Sequence, residues 1–226
     1  TSGTEFIRKN LNEKAYAVTT PLLTKSDGSK FGKSTEGNIW LDPKLTSPYK
    51  FFQFWLNADD SDIGKMMRYF TLRSKEEVQS LEQQSSEDPR LLQKALAEEI
   101  TQRVHSEEDY QAVLKVSELL FNKKASSETL SSLDEKALQM VADEIPRFYF
   151  DKNELANGIN IVDFLANSGI VESKSAAHRA IKGNAIAINK EKIQNKEKQI
   201  NHEALLHGKY IMVENGKKNK FMVRVH

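Results

Sequence analysis

KSDGSKFGKSTEG occupies Lys25 to Gly37, and three of the chain's ten glycines (Gly28, Gly32 and Gly37) fall inside it. They alternate with Lys25, Lys30 and Lys33, and Phe31 is the one strongly apolar residue between Leu23 and Ile39. Glycine opens conformations closed to other residues, and a lysine ammonium is a compact charge on a flexible stem. Lys30 and Lys33, three apart around Gly32, can therefore be aimed at one polyphosphate, with Ser34 adding a hydroxyl. By composition alone a solvated lysine-rich surface loop is the commoner explanation, because short motifs match by accident. The stretch is neither a Walker motif nor a GxGxxG turn, so its surroundings have to decide.

Upstream, residues 3–14 read as a short helix and YAVTTPLL (16–23) as a buried strand ending at a proline. Downstream, from Ser47, the pattern turns helical. Pro48 suits the first helical position after Ser47 as N-cap; Asp59, Asp60 and Ser61 can cap the next helix, and Ser74 another. Pro89 opens a long helix with Leu92, Ala95, Leu96, Ile100 and Val104 on one face. Another runs from about Glu107 to Phe121, with Tyr110, Val113, Leu114, Ser117 and Leu120 on one side, and two shorter helices follow. Residues 147–160 read as a linker that docks at least one of Phe148, Tyr149 and Phe150. Beyond it, 161–169 and 174–182 read as short helices closed by Gly169 and Gly183, 185–189 as a strand, and 209–225 as a hairpin turning at Asn215-Gly216. The whole is multidomain: 1–46 around the loop, a helical bundle over 47–146, the linker 147–160, and a small α+β module over 161–226.

Composition limits what such a chain can be. Its 226 residues are 38% apolar, enough for real cores, and no run of eighteen apolar residues could span a membrane. No leader peptide is visible, and the opening TSGTEFIRKN reads as the middle of a helix, as if cut from a longer protein. With no cysteine there is neither disulfide nor thiolate site, and the five histidines are scattered without ligand spacing, so no metal site is expected. The net charge of +1 hides a segregation: 47–146 hold twelve Lys/Arg against nineteen Asp/Glu (−7), and 161–226 twelve against six (+6). The basic end invites a polyanion. In its second helix Lys174, His178 and Lys182 recur at i, i+4, i+8 with Arg179 beside them, and Ala176, Ala177, Ala180 and Ile181 oppose them. Such a stripe is as often just a solvated face. The aromatics Phe51, Phe52, Phe54, Trp55, Tyr69 and Phe70 could stack on bases, but their helical spacing favours core packing. Asp59, Asp60 and Asp62 read first as capping residues.

KFGKS (30–34) resembles the KMSKS signature of class I aminoacyl-tRNA synthetases in its tyrosyl form. The likeness continues through PLLTKSDGSKFGKS (21–34), GNIWLDPKLTSPYKFFQFWLN (37–57) and LLQKALAEEITQRVHSEE (91–108), as in the bacterial tyrosyl branch, and covers essentially the whole chain. It implies that 1–46 are the remnant of a Rossmann-type α/β catalytic domain and that 47–146 are an all-α anticodon-binding bundle. It also implies the chemistry: tyrosine and ATP give tyrosyl-adenylate, and tyrosine passes to tRNA(Tyr). Lys30 and Lys33 would stabilise charge on the ATP phosphates, with Ser34 in support. ATP enters as substrate with Mg2+, and no bound prosthetic group is implied. Asp59, Asp60 or Asp62 could accept hydrogen bonds from a guanine edge of the anticodon. SGIVESKSAAHRAIKGNAIAINKEKI (168–193) resembles the RNA-binding module named after ribosomal protein S-four, which places Lys174, His178, Arg179 and Lys182 on RNA phosphates. The family's HIGH motif and tyrosine pocket lie upstream of the matched part, so this chain alone is expected to be inactive. A cytoplasmic homodimer without membrane contact is the family's form. The alternative is a stand-alone RNA-binding or regulatory protein without catalysis, which would have no reason to keep both lysines of KFGKS.

Overall fold

The structure is a computed structural model that describes residues 2–24, 26, 28, 31, 38–122 and 125–226. It opens with α1 (Ser2–Leu11), which buries none of its residues. The strand expected over 16–23 does not form: no described residue from 12 to 23 is in regular structure, and Tyr16 and Val18 are 88% and 94% exposed. A strand is held by the ladder it makes with a neighbour, and no described strand lies beside this one. Among the described residues of 1–46, expected as a Rossmann-type remnant, α1 is the one named helix or strand.

The bundle follows as α2 (Pro48–Leu56), α3 (Asp60–Phe70), α4 (Lys75–Gln84), α5 (Leu91–Val104), α6 (Glu107–Phe121), α7 (Ser127–Ser131) and α8 (Glu135–Glu144). Its starts are where short polar side chains can accept orphan backbone donors. Ser47 accepts from the Lys50 amide ahead of Pro48, Asp59 from Ser61, and Ser74 forms a reciprocal capping box with Glu77. The long helix begins at Leu91, two residues past Pro89, with Arg90 at its N-cap and no side-chain cap bond. Leu92, Leu96, Ala97 and Ile100 of α5 face Tyr110, Val113, Val116 and Leu119 of α6 in the core. The inward face of α6 is turned from the one expected, and Leu114 is left 39% exposed. Phe51, Phe52 and Trp55 are buried: Trp55 packs on Phe51, Phe54 and Phe70, and Phe52 on Tyr110, so these aromatics are core; Tyr69 is exposed.

The last third is a mixed sheet with helices. β1 (Arg147–Phe150), α9 (Lys152–Ala156), β2 (Ile159–Asn160), α10 (Ile161–Asn167), α11 (Lys174–Lys182), β3 (Ile186–Ile188), β4 (Glu191–Lys192), β5 (Gln199–Ile200), β6 (Tyr210–Asn215) and β7 (Asn219–Val225) follow in order. Five strands form one sheet in the order β1-β7-β6-β3-β4, and β2 pairs with β5. The expected linker is therefore partly sheet. Residues 147–150 run parallel to β7, from Arg147 opposite Met222 to Phe150 opposite Val225. Phe150 is buried against Phe164, and Phe148 stacks edge-on with Phe221. The β6–β7 hairpin forms as expected, but Asn215 still pairs with Asn219, and of the turn pair only Gly216 takes a positive φ (+79°). At the end of α11 it is Asn184 (φ 53°), not Gly183, that turns left-handed.

β6 and β7 alternate between two cores. Tyr210, Met212 and Met222 join the bundle's core, whereas Ile211, Val213, Val223 and Val225 pack with α10 and α11.

Candidate functional site

Lys30, Lys33 and Ser34 lie outside the described residues; Thr24, Ser26 and Phe31 around them do not. The Phe31 amide donates to the Leu23 carbonyl (3.1 Å). Its ring sits 5.5 Å from that of Phe70, 5.9 Å from Phe54 and 6.0 Å from Trp55, between the facing aromatics of α2 and α3. The first two turns of α3 hold the other flank. The Ser26 amide donates to Asp62 Oδ1 (2.7 Å), the Ser61 hydroxyl to Ser26 Oγ (2.8 Å), and the Lys65 ammonium to the Thr24 carbonyl (2.7 Å).

Asp62, expected with Asp59 and Asp60 as a possible acceptor for a guanine edge, does not lie at the surface with them. It is 5% exposed, and its carboxylate is turned onto the Ser26 backbone. Asp59 and Asp60 are exposed. Asp59 caps α3 by accepting the Ser61 amide, and Asp60 accepts from the Gln93 side chain of α5 (2.6 Å). The partners of this junction lie 35 to 41 residues apart in sequence. Capping chemistry marks the start of α3 but not which of its carboxylates turns inward, so the tie was invisible in the sequence.

α11 is amphipathic as its spacing requires. Ala177 and Ile181 are buried, and Lys174, His178, Arg179 and Lys182 are exposed together on the far face. Lys174 reaches Asp163 of α10 at 2.6 Å, with the lysine side chain largely solvated and the aspartate partly so. An exposed pair of this kind contributes little and yields readily to a competing phosphate. Where the sheet meets the bundle, a cleft of about 920 Å³ opens among Lys190, Lys192, Lys217, Lys218 and Lys220. Three of these are already engaged: Lys190 pairs with Glu214 (2.8 Å), Lys192 donates to the Asn184 carbonyl (3.3 Å), and Lys220 donates to the carbonyls of Leu119 and Leu120 at the end of α6 (2.7 and 2.6 Å). Burial, reinforced by the neighbouring Lys190 charge, holds the Lys220 ammonium below the usual lysine range. Among the described residues no cluster of His, Asp and Glu could hold a metal ion.

Residues 1–122 match the family described as tRNA synthetases class I (W and Y), and residues 137–223 match the tyrosine–tRNA ligase SYY-like C-terminal domain. The chain is 48% identical to the tyrosine–tRNA ligase of Cytophaga hutchinsonii, over 99% of its own length and 53% of that protein. To the tyrosine–tRNA ligase of Bacteroides thetaiotaomicron it is 45% identical, over 99% and 52% respectively. The chain spans about half the length of the curated relatives it matches. The solved C-terminally truncated mitochondrial tyrosyl-tRNA synthetase of Coccidioides posadasii is 30% identical, with a TM-score of 0.39 over 45% of this chain and 27% of that one, too low to argue from.

Proposed function

Because the chain belongs to the class I tRNA synthetases (W and Y), we propose that it is the part of a tyrosine–tRNA ligase that carries the ATP-phosphate loop and the tRNA-binding elements. The observation that supports this reading is KFGKS at 30–34, set within a stretch that matches the family over residues 1–122. In the reaction a tyrosine carboxylate oxygen attacks the α-phosphorus of MgATP, the bond to the leaving oxygen breaks, and pyrophosphate departs. No proton has to move. What the chain supplies is positive charge where negative charge builds, from the Lys33 and Lys30 ammoniums with Ser34 in support. In the second step a hydroxyl oxygen of the terminal ribose of tRNA(Tyr) attacks the tyrosyl carbonyl of the adenylate, the bond from that carbonyl to the phosphate oxygen breaks, AMP departs and the hydroxyl gives up its proton.

The tRNA would be held in two ways. The exposed face of α11 (Lys174, His178, Arg179, Lys182) meets phosphates, which position without specifying, and Asp59 and Asp60 offer acceptors to a guanine edge, which specifies. Since the bundle is acidic overall, its contact is local. A homodimer in the cytoplasm belongs to the same reading; among the described residues no helix is long and apolar enough to cross a membrane.

The test is Lys33→Ala in the complete gene product carrying this chain. A contact made mainly in the transition state lowers the chemical rate and spares ground-state binding. Adenylate formation should slow by roughly a hundredfold, with the tyrosine dissociation constant nearly unchanged. Pre-steady-state measurement of that step decides it, and an unchanged rate removes the loop from the chemistry.

A further inference from the structure

We propose that Asp62, with Phe31 as its counterpart on the other flank, is a positioning residue: it fastens the KFGKS-bearing segment to the first turn of α3. The inference rests on the ligase reading above and deepens it, since it concerns how the same loop is held.

Three observations carry it. First, Asp62 is a buried carboxylate with a backbone partner far away in sequence. Burying a charge is costly unless hydrogen bonds compensate, and Oδ1 receives the Ser26 amide at 2.7 Å, 36 residues away. Second, the contact is not solitary. Ser61 reaches Ser26 Oγ and Lys65 reaches both the carbonyl and the hydroxyl of Thr24, so α3 grips two residues of the segment with three side chains. Third, Phe31, which follows Lys30 directly, is half-buried among Phe54, Trp55 and Phe70. Two described residues that flank Lys30 in the sequence are therefore held, Ser26 by a polar clasp and Phe31 by an apolar one. Both clasps belong to the helical bundle. Placing charge accurately is most of what such a loop does, and a displacement of about 1 Å at the reacting atoms can cost up to roughly a hundredfold in rate.

The decisive experiment uses the complete gene product with three variants, Asp62→Ala, Asp62→Asn and Lys33→Ala. Two readouts are followed: the pre-steady-state rate of adenylate formation against the tyrosine dissociation constant, and the rate of tryptic cleavage after Lys25 and Lys30. Asparagine keeps an oxygen acceptor for the Ser26 amide and alanine does not. Asp62→Ala should slow adenylate formation tenfold to a hundredfold, leave tyrosine affinity nearly unchanged and speed cleavage, and Asp62→Asn should restore most of both. If Asp62→Ala matches wild type in rate and cleavage while Lys33→Ala is slow, the loop is catalytic but Asp62 does not hold it, and the inference is overturned. If cleavage speeds up in Asp62→Ala yet neither Asp62→Ala nor Lys33→Ala slows adenylate formation, the clasp has no catalytic consequence; the positioning role then falls together with the ligase reading of the loop. Should Asp62→Ala fail to fold, Ser26→Pro removes the donor itself with α3 intact; because trypsin does not cut a Lys–Pro bond, cleavage is then followed after Lys30 alone, and the same outcomes apply.

Discussion

Glu99, on the outer side of α5, collects four donors from the end of α3 and from its own helix: the Thr71 hydroxyl (2.6 Å), the Leu72 amide (2.7 Å), Arg73 Nε (3.1 Å) and Arg103 (3.4 Å). Burial pushes its carboxyl upward, but the bonds from Thr71, Leu72 and Arg73 outweigh that and leave it below the ordinary carboxylate range. A carboxyl lowered in the folded state stabilises the fold at pH values above its unfolded pKa of about 4.3. That contribution is lost as the pH falls through the folded value. Glu99→Gln should therefore lower the urea midpoint at pH 7, and the gap to wild type should stay level down to about pH 5 and close below it. A gap that persists unchanged into the acid range would mean that the charge of Glu99 contributes nothing and that only its shape is used. Asp62 likewise offers a carboxylate oxygen to a backbone amide of another segment, that of Ser26.

At the scale of single elements, α11 presents the clearest division between faces. Ala177 and Ile181 are buried, and the side chains of Lys174, Arg179 and Lys182 are all in solvent. Each phosphate neutralised releases counterions, worth a log–log salt slope of roughly 0.7–0.9. Replacing the three cations together by alanine should flatten the slope of tRNA binding by about two and weaken structured RNAs alike. A slope equal to wild type would make the helix a solvated face and move the RNA surface elsewhere, with the lysine-lined cleft at the hairpin the next place to look. Elements such as this were legible in the sequence because their signals are local. A serine or aspartate before an apolar run, and a 3.6-residue period, fix α2, α3, α4 and α11 whatever surrounds them. Strands are different. Residues 16–23 have strand-like composition and form none, and 147–150 look like connection and become an edge strand beside β7. A strand exists only where a neighbour pairs with it, and for 147–150 that neighbour, β7, is remote in sequence. The candidate site divides the same way. Which residues carry charge could be read from KFGKS and from the α11 stripe, whereas the inward turn of Asp62 depends on a contact 36 residues away.

Across the whole molecule, the hairpin of β6 and β7 is shared property. Its even-numbered residues Tyr210, Met212 and Met222 complete the bundle's core, and its odd-numbered ones complete the core under α10 and α11. Polar contacts follow the same seam. The Tyr210 hydroxyl donates to Gln139 (2.6 Å), His207 Nε2 meets the Leu133 carbonyl (2.8 Å), Lys209 pairs with Glu135, and Lys220 caps the end of α6. Two cores joined by one sheet should lose stability together, since neither face of the hairpin can be released without exposing the other's packing. Met222 is fully buried on the bundle side, so Met222→Ala removes contacts from the seam and should cost about 2–5 kcal/mol. Of the two tryptophans, Trp55 is buried in the bundle and Trp40 lies before it, half-exposed, so in a Trp40→Phe background the fluorescence reports on the bundle and not on the mutated strand. If the cores are coupled, the fluorescence midpoint in urea should fall along with the hydrogen-exchange protection of the β6–β7 amides. If those amides lose protection while the tryptophan midpoint stays where it was, the sheet and the bundle unfold as separate units. The basic face of α11 would then be free to move relative to α3.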